Sequence, residues 1–262
     1  KIMLHHEISG NGKKPLVLLH GFMENTTIWN EMEAHLSKDF TLIKIDLPGH
    51  GKSKVYQEIH TVELMAEKVK EVIDALKLEK INLLGHSLGG YVSLAFAEKF
   101  PEILESMTLF FSTTVADDEE KKAIRKRSIA VIDENFETFV KTSIPNLFSN
   151  NEKDILEGKI ELAKNIAKST NKEGVKAAQL GMAERPDRTE ILENLDAKIL
   201  IIAGKYDNAV KTENLLKTIP EKTNIKTYVL DCGHNGHWEK PTICAEIINT
   251  ELFHNLPKHF LL

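Results

Sequence analysis

Short apolar runs alternate with amphipathic segments along most of the chain, and this alternation predicts strands that alternate with helices. The predicted strands occupy residues 4–8, 16–19, 41–45, 80–84, 106–111, 198–203 and 225–230. Helical spacing of apolar residues covers 27–36, 61–78, 91–97, 212–218 and 241–253, with Thr61 as an N-cap. A turn-rich stretch at 9–15 indicates that the chain reverses after the first strand. This order predicts an α/β fold with a mostly parallel sheet covered by helices on both faces.

The alternation stops between residues 116 and 185, where the sequence is helical and charged throughout. Helices are predicted there over 118–135, 136–147, 152–169 and 173–183. Strand patterns resume at residue 198. We therefore expect one core formed by residues 1–115 and 186–262, interrupted by a helical insertion over 116–185.

Composition narrows the class of protein. The 262 residues are 42% hydrophobic and 28% charged, as is typical of a soluble globular protein. A net charge of −5 gives no electrostatic reason to expect nucleic acid or an anionic membrane as a partner, and runs such as 199–203 are too short to span a bilayer. Cys232 and Cys244 lie outside metal-ligand spacings. No signal-peptide pattern is visible, although Lys1 stands where a start methionine would, and we expect a reduced, cytoplasmic protein.

A glycine-flanked serine stands between a predicted strand and a predicted helix. The strand at 80–84 leads directly into Gly85-His86-Ser87-Leu88-Gly89, and an apolar helix pattern follows. Gly-x-Ser-x-Gly in this context is typical of a nucleophile elbow, in which small residues let strand and helix approach closely and the serine hydroxyl stands above the sheet. By itself the motif is equally consistent with an ordinary glycine-rich turn.

An acid and a histidine follow two later strands. Asp207 comes just after the strand at 198–203, and His234 comes just after the strand at 225–230. Either residue alone would be an ordinary loop residue. Because ligands bind at the carboxyl edge of such a sheet, and a serine nucleophile needs a base and an orienting acid, the order Ser87, Asp207, His234 predicts a catalytic group.

The predicted reaction also needs donors for an oxyanion, which are commonly two backbone N–H groups. One predicted donor is the amide of Leu88, directly after the serine at a helix N-terminus. The other is the amide of Phe22, in the loop after the strand at 16–19, where Gly21 would allow the backbone to approach a substrate closely.

Five motifs together resemble the α/β-hydrolase superfamily. They are His20-Gly21-Phe22, Asp46-x-Pro-Gly-His-Gly-Lys-Ser53, Gly85-His-Ser-Leu-Gly-Gly90, Gly204-x-x-Asp207 and Gly233-His234-x-x-x-x-Glu239-x-Pro241. The resemblance implies the α/β-hydrolase fold, a cap formed by 116–185, and no cofactor. The sequence at 184–188 is similar to small esterases and enol-lactonases of the superfamily. Some relatives place the acid after the strand before the cap, which makes Asp117 an alternative to Asp207, and His237 resembles a family position near the catalytic histidine.

Three functions are consistent with these residues. The first is a serine hydrolase that cleaves a carboxylic ester or lactone of a small molecule through an acyl-enzyme. The second is a cofactor-free lyase or synthase, as in relatives that make menaquinone precursors, and the third is a ligand-binding module that does not turn over. Substrate shape would be set by cap side chains, for most of which simple packing is the neutral expectation; they are Phe136, Phe139, Leu147 and Phe148. Oligomeric state stays open.

Two other kinds of site are disfavoured. Gly51-Lys52-Ser53 follows a strand as in a phosphate-binding loop, but the first glycine of that motif would fall at residue 46, which is an aspartate. A metal site is disfavoured because the candidate histidines lack a completing cysteine or carboxylate at a convincing spacing; they are His234, His237, His254 and His259. Asp46 and His50 are expected to be structural or to lie at the pocket rim.

A basic run on one predicted helix contains Lys121, Lys122, Arg125, Lys126 and Arg127. A run of this kind is most often a solvated face. Attraction of an anionic substrate to the cap is the lesser alternative.

Overall fold

The computed structural model describes residues 2–253, which form a seven-stranded sheet with helices on both faces. The strands lie in the order β1-β3-β2-β4-β5-β6-β7, and every neighbouring pair is parallel except β1 with β3. They are β1 (His6–Ser9), β2 (Lys14–Leu19), β3 (Phe40–Ile45), β4 (Ile81–His86), β5 (Leu104–Phe110), β6 (Lys198–Gly204) and β7 (Ile225–Leu230). The predicted α/β fold class with a mostly parallel sheet is confirmed.

The helices occupy most of the ranges that apolar spacing predicts. They are α1 (Asn30–Glu33), α2 (Val62–Ala75), α3 (Leu88–Lys99), α4 (Glu119–Glu134), α5 (Phe136–Ser143), α6 (Glu157–Ser169), α7 (Lys172–Glu184), α8 (Glu190–Asn194), α9 (Thr212–Leu216), α10 (Gly236–Glu239) and α11 (Pro241–Phe253). The predicted N-cap Thr61 accepts the N–H of Leu64. Within residues 2–253, no helix has the length and apolar character needed to cross a bilayer.

Several helix predictions differ from the structure. The helix predicted at 136–147 ends at Ser143, and the one predicted at 152–169 begins only at Glu157. The predicted helix at 27–36 is a 3-10 turn, Thr26–Trp29, followed by the single turn of α1. The short helices α8 and α10 were not predicted, because five and four residues are too few to show a helical period.

The strands are apolar on both faces because each face covers its own core cluster. Val17, Leu83 and Ile201 point into the cluster that contains α2 and α3, whereas their neighbours Leu84 and Ile202 point into the cluster on the other face. Side chains alternate between the faces of a strand, so a central strand covered on both sides must be apolar throughout.

The chain reverses after β1, as predicted, but β1 is not a neighbour of β2. Strand β3 lies between them, antiparallel to β1 and parallel to β2. Strand β1 is only partly buried and lies at the edge of the sheet, as does β7 at the opposite edge.

Helices α4 to α7 occupy the segment between β5 and α8, which we call the inserted segment (residues 116–185). Buried residues of α4, α5 and α6 join the cluster on the α11 side of the sheet. All four predicted helices of this segment are present. Its division from the core as a cap stays a prediction.

Candidate active site

The serine of the glycine-flanked motif sits in a strained turn. Strand β4 ends at His86 and α3 begins at Leu88, which leaves Ser87 between them with φ 51° and ψ −110°. A non-glycine residue in such a conformation costs about 1–3 kcal/mol and tends to mark functional sites. The turn is possible only with small neighbours, because a Cβ at Gly85 would lie 2.1 Å from Gly89 O and one at Gly89 would lie 2.3 Å from Leu19 O.

Hydrogen bonds from the sheet hold this turn in place. The Ser87 N–H donates to Phe110 O at 3.1 Å. The Ser87 carbonyl accepts the Gly90 N–H at 2.8 Å and the Ser112 hydroxyl at 2.8 Å. With its backbone fastened on both sides, Ser87 presents its side chain to the pocket above the sheet.

The structure brings Ser87, His234 and Asp207 into one hydrogen-bonded chain. His234 Nε2 lies 2.8 Å from Ser87 Oγ, and His234 Nδ1 lies 2.8 Å from Asp207 Oδ2. A carboxylate only accepts, so Nδ1 carries the proton and Nε2 is free to accept from the serine hydroxyl. The other carboxylate oxygen, Oδ1, accepts the N–H groups of Ala209 and Val210, each at 2.8 Å. The carboxylate is thereby held in a single orientation.

Asp117, the alternative acid, makes different contacts. Its carboxylate is fully buried, with Arg125 Nε at 2.5 Å and Arg185 Nη1 at 2.8 Å. Burial would raise the pKa of Asp117, but hydrogen bonds and charge from the two arginines hold that pKa below its usual value. The carboxylate that touches His234 belongs to Asp207, and Asp117 is part of an arginine cluster.

The loop that carries His234 is fastened to the inserted segment. The His234 N–H donates to Leu147 O at 2.9 Å. The buried carboxylate of Glu239 accepts the N–H groups of Gly233 at 3.1 Å, Asn235 at 3.2 Å and Ser149 at 3.0 Å. Burial raises the pKa of Glu239. This carboxylate therefore organises the backbone on both sides of His234.

The loop after β2 is oriented by its own histidine. The Gly21 carbonyl accepts the Nδ1–H of His20 at 2.7 Å and the N–H of Glu24 at 3.2 Å. His20 Nε2 accepts the Leu47 N–H at 2.9 Å, which fixes the neutral tautomer, and burial lowers the pKa of His20 to about 4. Because the N–H and C=O of a trans peptide point in opposite directions, the Phe22 N–H faces away from these donors. Within residues 2–253, neither the Phe22 nor the Leu88 N–H donates a hydrogen bond to the protein.

A cavity of about 340 Å³ opens above Ser87 and His234. Phe139 and Leu147 of the inserted segment line it, together with Trp238. Two of the other predicted cap side chains pack instead: Phe136 lies against the core cluster, and Phe148 stacks on Trp238 with ring planes 14° apart. The volume is that of a pocket for a small molecule.

One wall of the cavity is polar and carries two cations. Lys121 and Arg125 of α4 line this wall beside Ser128 and Gln179. Arg125 also bonds Gln179 Oε1 at 2.9 Å, and its side chain is only 13% exposed. The interpretation of the basic run as a solvated face was therefore wrong for Arg125, whereas Lys121 lines the cavity with a side chain that is 40% exposed and Lys126 and Arg127 are exposed.

Glu24 and His86 are site residues that motif reasoning missed. Both line the cavity, and Glu24 Oε1 lies 2.5 Å from His86 Nδ1. His237, whose role was open, is buried with Nε2 3.0 Å from Glu24 Oε2. The available signal was weak: an acidic residue three positions after Gly21, directly after the apolar pair Phe22-Met23.

The disfavoured sites have structural explanations. Asp46 accepts the N–H groups of Thr26 at 2.9 Å and Lys52 at 3.0 Å, while the Ser53 hydroxyl donates to the Asp46 carbonyl. The loop is closed on itself, with an acid where a phosphate would bind. Of the four candidate metal histidines, His254 and His259 lie outside the described residues.

A nucleophile turn after β4, an acid after β6 and a histidine after β7, all at the carboxyl edge of a mostly parallel sheet, define the architecture of an α/β hydrolase. The family model of the alpha/beta hydrolase fold matches residues 14–241, and the chain belongs to this family. The predicted family resemblance is confirmed.

Three relatives are informative. A thermophilic esterase from Thermogutta terrifontis, solved with malate bound, is similar with a TM-score of 0.88 and 33% identity over 95% of this chain and 92% of that one. An enol-lactonase from Burkholderia xenovorans LB400 has a TM-score of 0.87 at 21% identity, covering 96% of each chain, and shows the fold alone. A putative 2-succinyl-6-hydroxy-2,4-cyclohexadiene-1-carboxylate synthase from Bacillus subtilis is 28% identical over 256 residues, 91% of this chain and 90% of that protein.

Other curated relatives are longer than this chain. An uncharacterised protein of Mycobacterium tuberculosis is 35% identical over 111 residues, and the match spans about a third, 32%, of its length.

Proposed function

We propose that the protein is a serine hydrolase that cleaves a carboxylic ester or lactone of a small molecule. The observation that carries this proposal is the chain of two 2.8 Å contacts from Asp207 through His234 to Ser87 Oγ. The chain ends at a cavity whose volume suits a small molecule. The similarity to the Thermogutta terrifontis esterase supports the same class of reaction.

The reaction proceeds in two steps. Ser87 Oγ attacks the carbonyl carbon as His234 Nε2 takes its proton, and the C–O bond to the alcohol breaks as the alcohol oxygen receives that proton, leaving an acyl-enzyme. The alcohol departs from an ester and stays attached to the acyl group of a lactone. Water then attacks the ester carbon while His234 takes a proton from it, and the acid is released as Ser87 regains its hydrogen. Asp207 holds the Nδ1–H tautomer throughout and stabilises the imidazolium.

The proposal also assigns roles to two backbone N–H groups and to the inserted segment. The N–H groups of Phe22 and Leu88 bind the oxyanion, and loss of one such donor costs about 3–4 kcal/mol in the barrier. The inserted segment acts as the cap, because Phe139 and Leu147 close the cavity over Ser87.

The test is hydrolysis of a p-nitrophenyl ester series of increasing acyl length. The wild type should release a burst of nitrophenolate before steady turnover, and Ser87→Ala should lose the burst and about 10⁴-fold or more in kcat. A matched control is Ser93→Ala in α3, because the Ser93 hydroxyl donates to Gly89 O and makes no contact with His234. Steady turnover with a burst that does not depend on Ser87 would contradict the acyl-enzyme mechanism.

A second candidate, a cofactor-free lyase or synthase, is favoured by the cationic wall. Lys121 and Arg125 face the cavity, and Asp117 is shared with Arg185, so the cluster carries more positive than negative charge. Such a wall suits a substrate with a carboxylate. The Bacillus subtilis relative is named for the synthesis of a carboxylate.

The two candidates differ in whether an acyl-enzyme forms. Mass spectrometry of protein quenched during turnover should show the acyl group on Ser87 for the hydrolase. A protein that labels with a fluorophosphonate at Ser87, hydrolyses no ester and eliminates from enol or keto acids without acyl adduct would identify the lyase.

A further inference from the structure

A buried ion pair lies directly beneath the candidate active site and takes no part in the proposed chemistry. Glu24 Oε1 lies 2.5 Å from His86 Nδ1, and the two side chains are 9% and 2% exposed. Isolated charges are costly to bury, so a pair retained at this depth calls for an explanation.

The contacts of His86 determine its protonation. Nδ1 faces the Glu24 carboxylate, and Nε2 lies 3.0 Å from the backbone carbonyl of His234. Both partners are acceptors only, so both ring nitrogens carry a proton and the ring is an imidazolium. Burial would lower the pKa of His86, but the charge of Glu24 raises it above its usual value, and the pKa of Glu24 is in turn held well below its usual value against the effect of burial.

This pair touches three of the four loops that form the proposed site, namely those of Phe22, Ser87 and His234 but not that of Asp207. Glu24 Oε1 also accepts the Gly21 N–H at 2.7 Å, in the loop that carries the Phe22 amide. His86 is the residue before Ser87, and its Nε2–H holds the His234 carbonyl. The rings of His86 and His234 have centroids 5.0 Å apart. One charge-assisted chain therefore runs from the oxyanion loop through the nucleophile turn to the histidine loop.

We infer that Glu24 and His86 are positioning residues. They set the backbone position of His234, and with it the distance from His234 Nε2 to Ser87 Oγ. They also hold in place the loop that carries the Phe22 amide. The inference rests on the proposed function. The pair is neutral as a whole, so it fixes this geometry without adding net charge beside the imidazole that must become cationic during the reaction. A misplacement of about 1 Å in such a group can cost roughly 100-fold in rate.

The same side chains offer a competing explanation. Within residues 2–253, Glu24, His86 and His237 form a group whose donor atoms lie within 4.8 Å of one another, as a metal site would require. The existing hydrogen bonds of Glu24 to His86 and Gly21 favour the ion pair. Metal analysis of the purified protein belongs in the test, and a stoichiometric metal lost together with activity in Glu24→Gln would overturn the inference.

Kinetics of three variants test the positioning role. His86→Leu removes both hydrogen bonds and should lower kcat about 10- to 100-fold with KM within about threefold. His86→Gln keeps a donor near the Nε2 position and should recover most of the loss, and Glu24→Gln, which leaves the Nε2–H on the His234 carbonyl, should cost less than His86→Leu. His60→Gln replaces another buried histidine, which accepts the N–H groups of Tyr56 and Gln57 away from the cavity, and should keep kcat. Wild-type kcat in His86→Leu would overturn the inference.

A spectroscopic measurement separates positioning from general stability and from the proposed chemistry. With ¹⁵N-labelled histidine, both ring nitrogens of His86 should give protonated-type shifts at neutral pH, and Glu24→Gln should convert one to the unprotonated type. A neutral His86 ring in the wild type would overturn the inference even if the variants fail to fold. A doubly protonated His86 in a protein with no Ser87-dependent activity would instead contradict the proposed function alone.

Discussion

Three buried neutral histidines should make the stability of this protein fall from about pH 6.5 downward, above the range in which carboxylates titrate. His20, His50 and His237 are fully buried. Burial lowers the pKa of His20 and His237 to about 4 and that of His50 to about 3, from 6.5. In the unfolded chain these rings take protons below pH 6.5, whereas in the folded protein they stay neutral until pH falls close to 4. The stability that these three neutral rings contribute is therefore fully present above pH 6.5 and is lost as the pH falls toward 4.

The size of the effect follows from 1.36 kcal/mol per pH unit for each proton. At pH 4.5, two units below 6.5, each histidine costs about 2.7 kcal/mol, and the three together cost about 8 kcal/mol. A domain is typically stable by about 5–15 kcal/mol, so unfolding should begin between about pH 4 and 5. Asp46 and Glu239 offset part of this, because burial raises the pKa of each, whereas burial lowers the pKa of His60 and so adds to the loss.

Urea unfolding followed by tryptophan fluorescence between pH 7.5 and 5 would measure the effect. The free energy of unfolding should fall by about 3–4 kcal/mol per pH unit between pH 6 and 5, which corresponds to nearly three protons. His50→Gln should reduce that slope by about 1 kcal/mol per pH unit, since one buried imidazole is removed. A wild-type slope of the unfolding free energy against pH that corresponds to fewer than about one proton, or an unchanged slope in His50→Gln, would refute the reasoning.

Three further outcomes are expected. Asp207→Asn should lower kcat on p-nitrophenyl acetate by about 10⁴-fold, because the amide favours the wrong imidazole tautomer; a loss under tenfold would contradict this. Gly89→Ala should destabilise the protein by about 1–3 kcal/mol in thermal melts, since the new Cβ would lie 2.3 Å from Leu19 O, and an unchanged melt would count against the tight turn. Lys121→Met should lower kcat/KM about 10-fold for a monoester of a dicarboxylic acid relative to a neutral ester. Lys122→Met serves as its matched control, and equal ratios in both variants would remove the case for an anion-binding wall.

The parts of the site that could be predicted are those that local pattern places. Ser87, Asp207 and His234 each follow an apolar run at the carboxyl end of a strand, so a parallel sheet must bring their loops to one edge. Their roles in catalysis stay predictions, as do those of the Phe22 and Leu88 amides.

The parts that could not be predicted depend on pairing across long separations. Glu24 meets His86 across 62 residues, and nothing near Glu24 in the chain indicates a buried partner. Arg125 lies in a strongly charged run, and its position beside the cavity depends on the buried Asp117 and on Gln179, which is 54 residues away. The position of β3 between β1 and β2 likewise depends on which strand is better buried on both faces. The turn-rich stretch at 9–15 gives no information about that burial.

The carbonyl of Leu147 and the N–H of Ser149 give the inserted segment a second influence on the site. Through His234 and Glu239, the backbone beside the cavity also sets the position of the proposed base, His234. Exchange of residues 116–185 between relatives would therefore change the position of His234 as well as the residues that line the cavity. A chimera that retains residues 145–149 from this chain should keep His234 in place. A chimera in which all of residues 116–185 are exchanged should change substrate selectivity and rate together.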